Sequence, residues 1–346
     1  MRIVDLRSDT VTMPTLKMRQ AMKDAEVGDD GFADDPTTNR FEKMAADCVG
    51  KEDALFVPSG TMGNLIAIMV HTKPGEGLLC DRFAHINTMV AGNTAALTGT
   101  TICPLDVDES GHFDLDDLES NINLDNIHFP RTSLIVLENS NNLAGGTVVT
   151  PVETSEISRI AKKHNLSFHL DGARVFNSAI AQGVDIVELT RDCDSVMFCL
   201  SKGLASPVGS IIAGTEAFIK EARRIRKMLG GVMRQTGILA ACGIISLTEM
   251  IDRLAEDHDN ARYLANGLEG IDGFSIKRET VQTNIICFKF ELPKLSCKEF
   301  VDNVARKGVY VVHLYKDSGR MVTHKDLNKS DFDYALKVFK DTISKN

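Results

Sequence analysis

The sequence predicts an α/β protein, with a mostly parallel sheet covered by helices and a smaller α+β domain after it. Three observations predict this. Short apolar runs alternate with longer amphipathic ones, the rhythm of strand and crossover helix. The short runs are apolar on both faces, as strands buried between two helical layers must be. From about Phe274 onward the alternation changes to a mixed α+β pattern.

Taken in order, the apolar runs at 54–57, 77–80, 101–104, 133–137, 166–170, 195–200 and 209–213 are expected strands. The segments 63–70, 152–163 and 217–227 carry helical periodicity between them. A long helical stretch over about 237–268 leads out of the sheet. Strands near 284–290 and 308–312 and a closing helix at 330–344 complete the chain. The resulting division is an N-terminal arm at 1–28, a large domain at 29–250 and a small domain at 251–346. No periodicity places the arm.

The 346 residues are 43% hydrophobic and 25% charged, which is a globular composition. With 39 Lys and Arg against 48 Asp and Glu the net charge is −9, which argues against a nucleic-acid or membrane partner. The first residues, Met1 to Asp5, carry no apolar core of a signal peptide. The longest apolar stretch, 237–247, is too short to cross a bilayer. Eight cysteines include no CxxC pair and no zinc-ligand spacing, so no metal is expected. They read as buried thiols in a reduced compartment, which points to the cytoplasm.

Four strand ends carry chemistry. The segment Ser59-Gly60-Thr61 passes from a strand into a helix, where free N–H groups and the helix dipole favour a phosphate. An ordinary capped βα turn has the same look. At Asp171-Gly172-Ala173-Arg174 a strand delivers a carboxylate and then a guanidinium. A surface ion pair is one reading; a carboxylate facing a cationic ring nitrogen, with Arg174 gripping an anionic substrate, is the other. Lys202 follows a largely apolar run and is bracketed by Ser201 and Gly203. It is either a snorkelling lysine or one activated for Schiff-base formation. His85 follows the strand at 77–80 and is structural or functional. Jointly, the four match what pyridoxal phosphate (PLP) needs: a phosphate cup, a flat group on the ring, a carboxylate at the pyridine nitrogen and a lysine. The nucleotide-binding fingerprints GxxxxGK[ST] and GxGxxG after a strand are absent from the sequence.

The chain resembles the low-specificity L-threonine aldolases, aspartate-aminotransferase-like enzymes of PLP fold-type I. The resemblance runs through residues 5–12, 55–64, 126–133, 171–174, 194–204, 226–231 and 320–325, nearly the whole chain. It implies Lys202 as the Schiff-base lysine, Asp171 as partner of the pyridine nitrogen and His85 as the ring-stacking imidazole. It implies Gly60, Thr61 and Ser201 as phosphate contacts, and Ser8, Arg174 and Arg320 as the substrate-carboxylate site. Lys227 and Arg234 fall where the family reaches toward a neighbouring subunit, so a homodimer at least, and commonly a tetramer, is implied.

The sequence departs from the family pattern in the segments that shape the substrate's side-chain pocket. Phe32-Ala33 stands for Tyr-Gly, Val232 for a glycine, and Asn141 for a histidine near the substrate hydroxyl. Asn87, Thr88, Met89 and Val90 stand where bulky aromatic and acidic residues are common. The expected reaction is cleavage of L-threonine, L-allo-threonine and related L-3-hydroxy-amino acids to glycine and an aldehyde. With Phe32, Met89, Val90 and Asn141 altered, an amino-acid racemase or β-eliminating lyase of the same family is the alternative.

Overall fold

The computed structural model describes residues 2–123 and 125–344. Met1, Leu124, Lys345 and Asn346, which fall in the predicted arm, large domain and small domain, lie outside the described residues.

The first strand, β1 (Val4–Asp5), runs parallel to a late strand at Val309–Tyr310. Seven further strands make the central sheet: β2 (Asp53–Val57), β3 (Gly77–Asp81), β4 (Thr101–Leu105), β5 (Thr132–Glu138), β6 (Ser167–Asp171), β7 (Ser195–Cys199) and β8 (Ser210–Gly214). Their order is β2-β8-β7-β6-β5-β3-β4. Only β8 runs against its neighbours, so the other six strands point the same way. Every residue of β7 and β8 is buried, as the two-faced apolar pattern requires.

Helices cover the sheet where caps permit them. Ser59 caps the helix Gly60–His71 by accepting from Met62 N, and Thr215 caps Glu216–Met228 through Phe218 N. Thr150 and Glu153 form a reciprocal capping box at Pro151–Lys163. The core beneath them is aromatic: Phe176 meets Phe198 edge-on at 5.2 Å, and Phe198 has no exposed surface.

The remaining strands are β9 (Phe274–Ser275), β10 (Ile285–Phe290), β11 (Val309–Tyr310), β12 (Val312–His313) and β13 (Ser318–Val322). They form a small antiparallel sheet, β12-β13-β10-β9, while β11 pairs with β1. Phe288, Phe290, Phe300 and Phe339 build its core with the helices Cys297–Ala305 and Lys329–Ile343.

Two expectations are refined. The helical stretch over 237–268 is two helices, Gly237–Glu249 and Leu254–Leu268. The first packs on the large core, as does Leu254 at the start of the second, while Ala261, Leu264 and Leu268 pack in the small one. The strand at 308–312 divides at Val311, because β11 and β12 pair with different partners. Within residues 1–28, Val4 and Leu6 pack in the small core and Met18 in the large one.

Because six strands are codirectional, their C-terminal residues share one edge of the sheet. That edge is where open α/β sheets place their ligands. Phe198→Ala removes a ring from the centre of the core and is expected to cost about 3–5 kcal/mol. Urea unfolding of the variant beside the unmodified chain measures it.

Candidate active site

A cleft of about 280 Å³ opens at this edge. Ser8, Gly60, Thr61, His85, Asp171, Arg174, Ser201, Lys202 and Arg320 all line it. The cleft therefore gathers, from six separate stretches of chain, every predicted site residue except Asn141, Lys227 and Arg234.

Each group arrives for a local reason. Asp171 is the last residue of β6 and is almost fully buried. Its Oδ2 accepts from Asn64 Nδ2 at 2.7 Å, and its Oδ1 from Ala173 N at 3.2 Å. Lys202 lies in the loop after β7, which Thr12 holds by donating to the Lys202 carbonyl at 2.8 Å. Its amine makes no hydrogen bond or ion pair among the described residues. Gly60 and Thr61 open the helix Gly60–His71, and their N–H groups have no intrahelical partner. Glycine suits position 60: a Cβ there would sit 2.8 Å from Cys199 Sγ and 3.2 Å from Met197 Sδ, so those side chains would have to shift.

His85 opens a short helix, His85–Thr88, and its backbone N–H donates to Glu138 Oε2 at 2.7 Å. Burial lowers the imidazole's pKa, with the Asp171 charge opposing, which favours the neutral ring. Glu138 also accepts from Asn142 N at 2.9 Å. Burial, with the charge of Asp171, pushes Glu138 up to about 7.

The anion-binding wall is built from two arginines. Arg174 donates Nε and Nη2 to the two oxygens of Asp9, at 2.8 and 2.7 Å. Burial alone would raise the Asp9 pKa; the Arg174 charge, with help from Lys202 and Asn284, holds it well below the usual carboxylate range. Arg320 Nη1 donates to Asn142 Oδ1 at 2.6 Å, and Arg174 Nη1 reaches the same oxygen at 3.4 Å. The buried Nε of Arg320 has no partner among the described residues. Two guanidinium groups thus converge with donor capacity to spare, a site suited to a carboxylate.

The other predicted residues lie elsewhere. Asn141 is buried behind the cleft; its Nδ2 donates to Asp81 at 2.9 Å and its Oδ1 accepts from Leu143 N and Ala144 N. The amide is committed to the loop, so Asn142 rather than Asn141 faces the cleft. Lys227 and Arg234 are outside the cleft, the latter paired with Asp29 at 3.2 Å. Met89 lines the cleft, while Val90 is buried beyond it and Phe32 is 76% exposed.

Residues 5–291 match the beta-eliminating lyase family. The chain is 41% identical over 348 residues to low-specificity L-threonine aldolase 1 of Arabidopsis thaliana, covering 99% of this chain and 97% of that one. It is 44% identical over 278 residues to the low specificity L-threonine aldolase of Escherichia coli (strain K12), covering 80% and 83%. The chain belongs to the low-specificity L-threonine aldolase family. The threonine aldolase of Leishmania major shares its fold, with a TM-score of 0.83 at 20% identity and coverage of 98% and 99%. The chain is thus a lyase by family.

Within this threonine aldolase framework, sequence reading missed Asp9, Asn64, Glu138 and Asn142. Asp9 and Asn64 sit inside segments that carried the resemblance and Glu138 and Asn142 flank the departing Asn141, but each has its partner far away in the chain. Asp9→Asn is expected to lower kcat and raise KM together, since Arg174 loses its bidentate anchor. Breaking the buried pair is also expected to cost about 3–5 kcal/mol. The Asp9 contribution is present above the unfolded carboxylate pKa of about 3.9 and is lost as pH falls below it. Steady-state kinetics and urea unfolding of the variant test both.

Proposed function

We propose that the cleft holds PLP on Lys202 and cleaves L-threonine, L-allo-threonine and related L-3-hydroxy-amino acids to glycine and an aldehyde. The observation that carries this reading is the meeting of Lys202, Asp171, His85 and the Arg174–Arg320 pair in one cleft. The donor set fits the cofactor. Lys202 offers an amine with no hydrogen-bond or ion-pair partner among the described residues, and Asp171 offers a buried carboxylate. Gly60 and Thr61 offer N–H groups for the phosphate at a helix start, with Ser201 beside them.

When bound, PLP supplies the electron sink for the pair released by the breaking Cα–Cβ bond. The chain supplies the rest. Arg174 and Arg320 grip the substrate carboxylate, with Ser8 at the same wall. Fixing the carboxylate selects which bond at Cα stands ready to break. Asp171 would offer its buried carboxylate to the ring nitrogen and favour the protonated ring. His85 would lie against the cofactor's ring, and its imidazole, which burial inclines to the neutral form, would be placed to take up the proton of the substrate's β-hydroxyl.

We also read the chain as a homo-oligomer, a dimer at least and in our reading a tetramer, acting in the cytoplasm. Exposed Met228 and Phe32, at 65% and 76%, lie in the segments of Lys227 and Arg234 and of the Asp29 that pairs with Arg234. They offer an apolar surface to a second copy.

Lys202→Ala is expected to abolish both turnover and the visible absorbance of lysine-bound cofactor. Product analysis with L-threonine should give glycine and acetaldehyde in equal amounts. D-alanine from L-alanine without glycine from L-threonine would instead establish the racemase.

A further inference from the structure

From Asn64, which lines the cleft beside Asp171, four polar side chains are linked in series into the core. Asn64 Nδ2 donates to Asp171 Oδ2 at 2.7 Å. Asn64 Oδ1 meets His169 Nε2 at 3.0 Å, and His169 Nδ1 meets Ser195 Oγ at 2.8 Å. The same oxygen meets His71 Nε2 at 2.8 Å. Asn64, His169 and Ser195 are buried, and His71 is largely covered, stacked on Phe218 at 4.9 Å.

Helix and strand geometry create this line. Asn64 and His71 are seven residues apart, so they share one face of the helix Gly60–His71. His169 and Asp171 alternate along β6 and share the face beneath it. Ser195 is the register partner of His169 across β6 and β7.

Chemistry then fixes every proton. The Asp171 carboxylate only accepts, so the Asn64 nitrogen faces it and the Asn64 oxygen faces His169. His169 Nε2 must therefore carry the proton. Burial pushes His169 down to about 3 and His71 down to about 4, so both rings are neutral. A neutral His169 with a proton on Nε2 accepts at Nδ1, and Ser195 spends its only O–H there. Ser195 Oγ then accepts from His71 Nε2. All four hydrogen bonds point their donors toward Asp171.

We propose that Asn64, His169, Ser195 and His71 form a one-directional hydrogen-bond relay that holds Asp171 as an anion and thereby keeps a proton on the cofactor's ring nitrogen. The second half rests on the PLP reading above. The four act as positioning residues: His169, Ser195 and His71 stand outside the cleft lining, and Asn64, at its floor, spends its amide on Asp171 and His169. Aligned donors polarise one another in a low-dielectric core, so the last bond, to the carboxylate, is the strongest. A carboxylate stabilised as the anion is a weak base, and the proton it shares with the ring nitrogen stays on the ring.

The test uses the full chain with 15N-labelled histidine, and the same chain loaded with 15N-labelled PLP. The relay predicts a neutral His169 carrying its proton on Nε2, with Ser195→Ala shifting that tautomer balance. Asn64→Leu should move the ring-nitrogen signal toward its unprotonated value and lower kcat roughly 5- to 100-fold with KM little changed. Ser195→Ala, a smaller change, should do the same more weakly and serves if Asn64→Leu does not fold. A His169 proton on Nδ1, an imidazolium, or a ring nitrogen unmoved in a loaded variant would overturn the relay. A chain showing the expected tautomer but taking up no PLP would overturn the cofactor half together with the proposed function. Loss of packing alone would not redirect a tautomer or a ring proton.

Discussion

The buried pair between Asp9 and Arg174 is the contact on which the site depends. It is bidentate, with both partners almost wholly out of water. It also joins three parts of the fold. Asp9 belongs to the N-terminal segment, Arg174 follows β6 of the central sheet, and Asn284 at the edge of the small sheet donates to Asp9 at 3.1 Å. Thr12 adds a link from the same segment to the Lys202 carbonyl. A charged pair so deeply desolvated is not a source of stability by itself. What it provides is position: Arg174 is held at one angle, and the first residues of the chain are held across the cleft mouth.

The rest of the site follows from strand direction. Six codirectional strands bring Glu138 and Asp171 to one edge and place the loop of Lys202 beside them. The helix at Gly60 approaches the side chains of Cys199 and Met197 on β7 closely, and its first N–H groups, free at the helix start, lie at the same edge. Opposite charges are thereby sorted within one cleft: carboxylates at its floor, guanidinium groups at its wall. Such preorganised charge needs little rearrangement when a zwitterionic substrate enters, and preorganisation of this kind is the main electrostatic contribution to catalysis.

Much of this was legible in the sequence. Strand runs apolar on both faces gave the parallel sheet, and inspecting their ends found Lys202, Asp171, His85 and Gly60. Arg320 and Ser8 came only through the family resemblance, because nothing local marks them. Asp9, Asn64, Glu138 and Asn142 were not singled out, since each acquires its role from a partner distant in sequence: Arg174, Asp171, His85 and Arg320 respectively. Asn141 illustrates a one-residue ambiguity. In a turning loop, neighbouring side chains point apart, and here Asn141 turns to Asp81 while Asn142 turns to the arginines. The turn between the helices Gly237–Glu249 and Leu254–Leu268 was hidden because both segments keep helical periodicity and only the location of two separate cores divides them.

Borohydride reduction of the PLP-loaded chain, followed by peptide mapping, tests the central claim most directly. The account predicts a single pyridoxyl adduct on Lys202. An adduct on another lysine, or none after verified reduction, would contradict it.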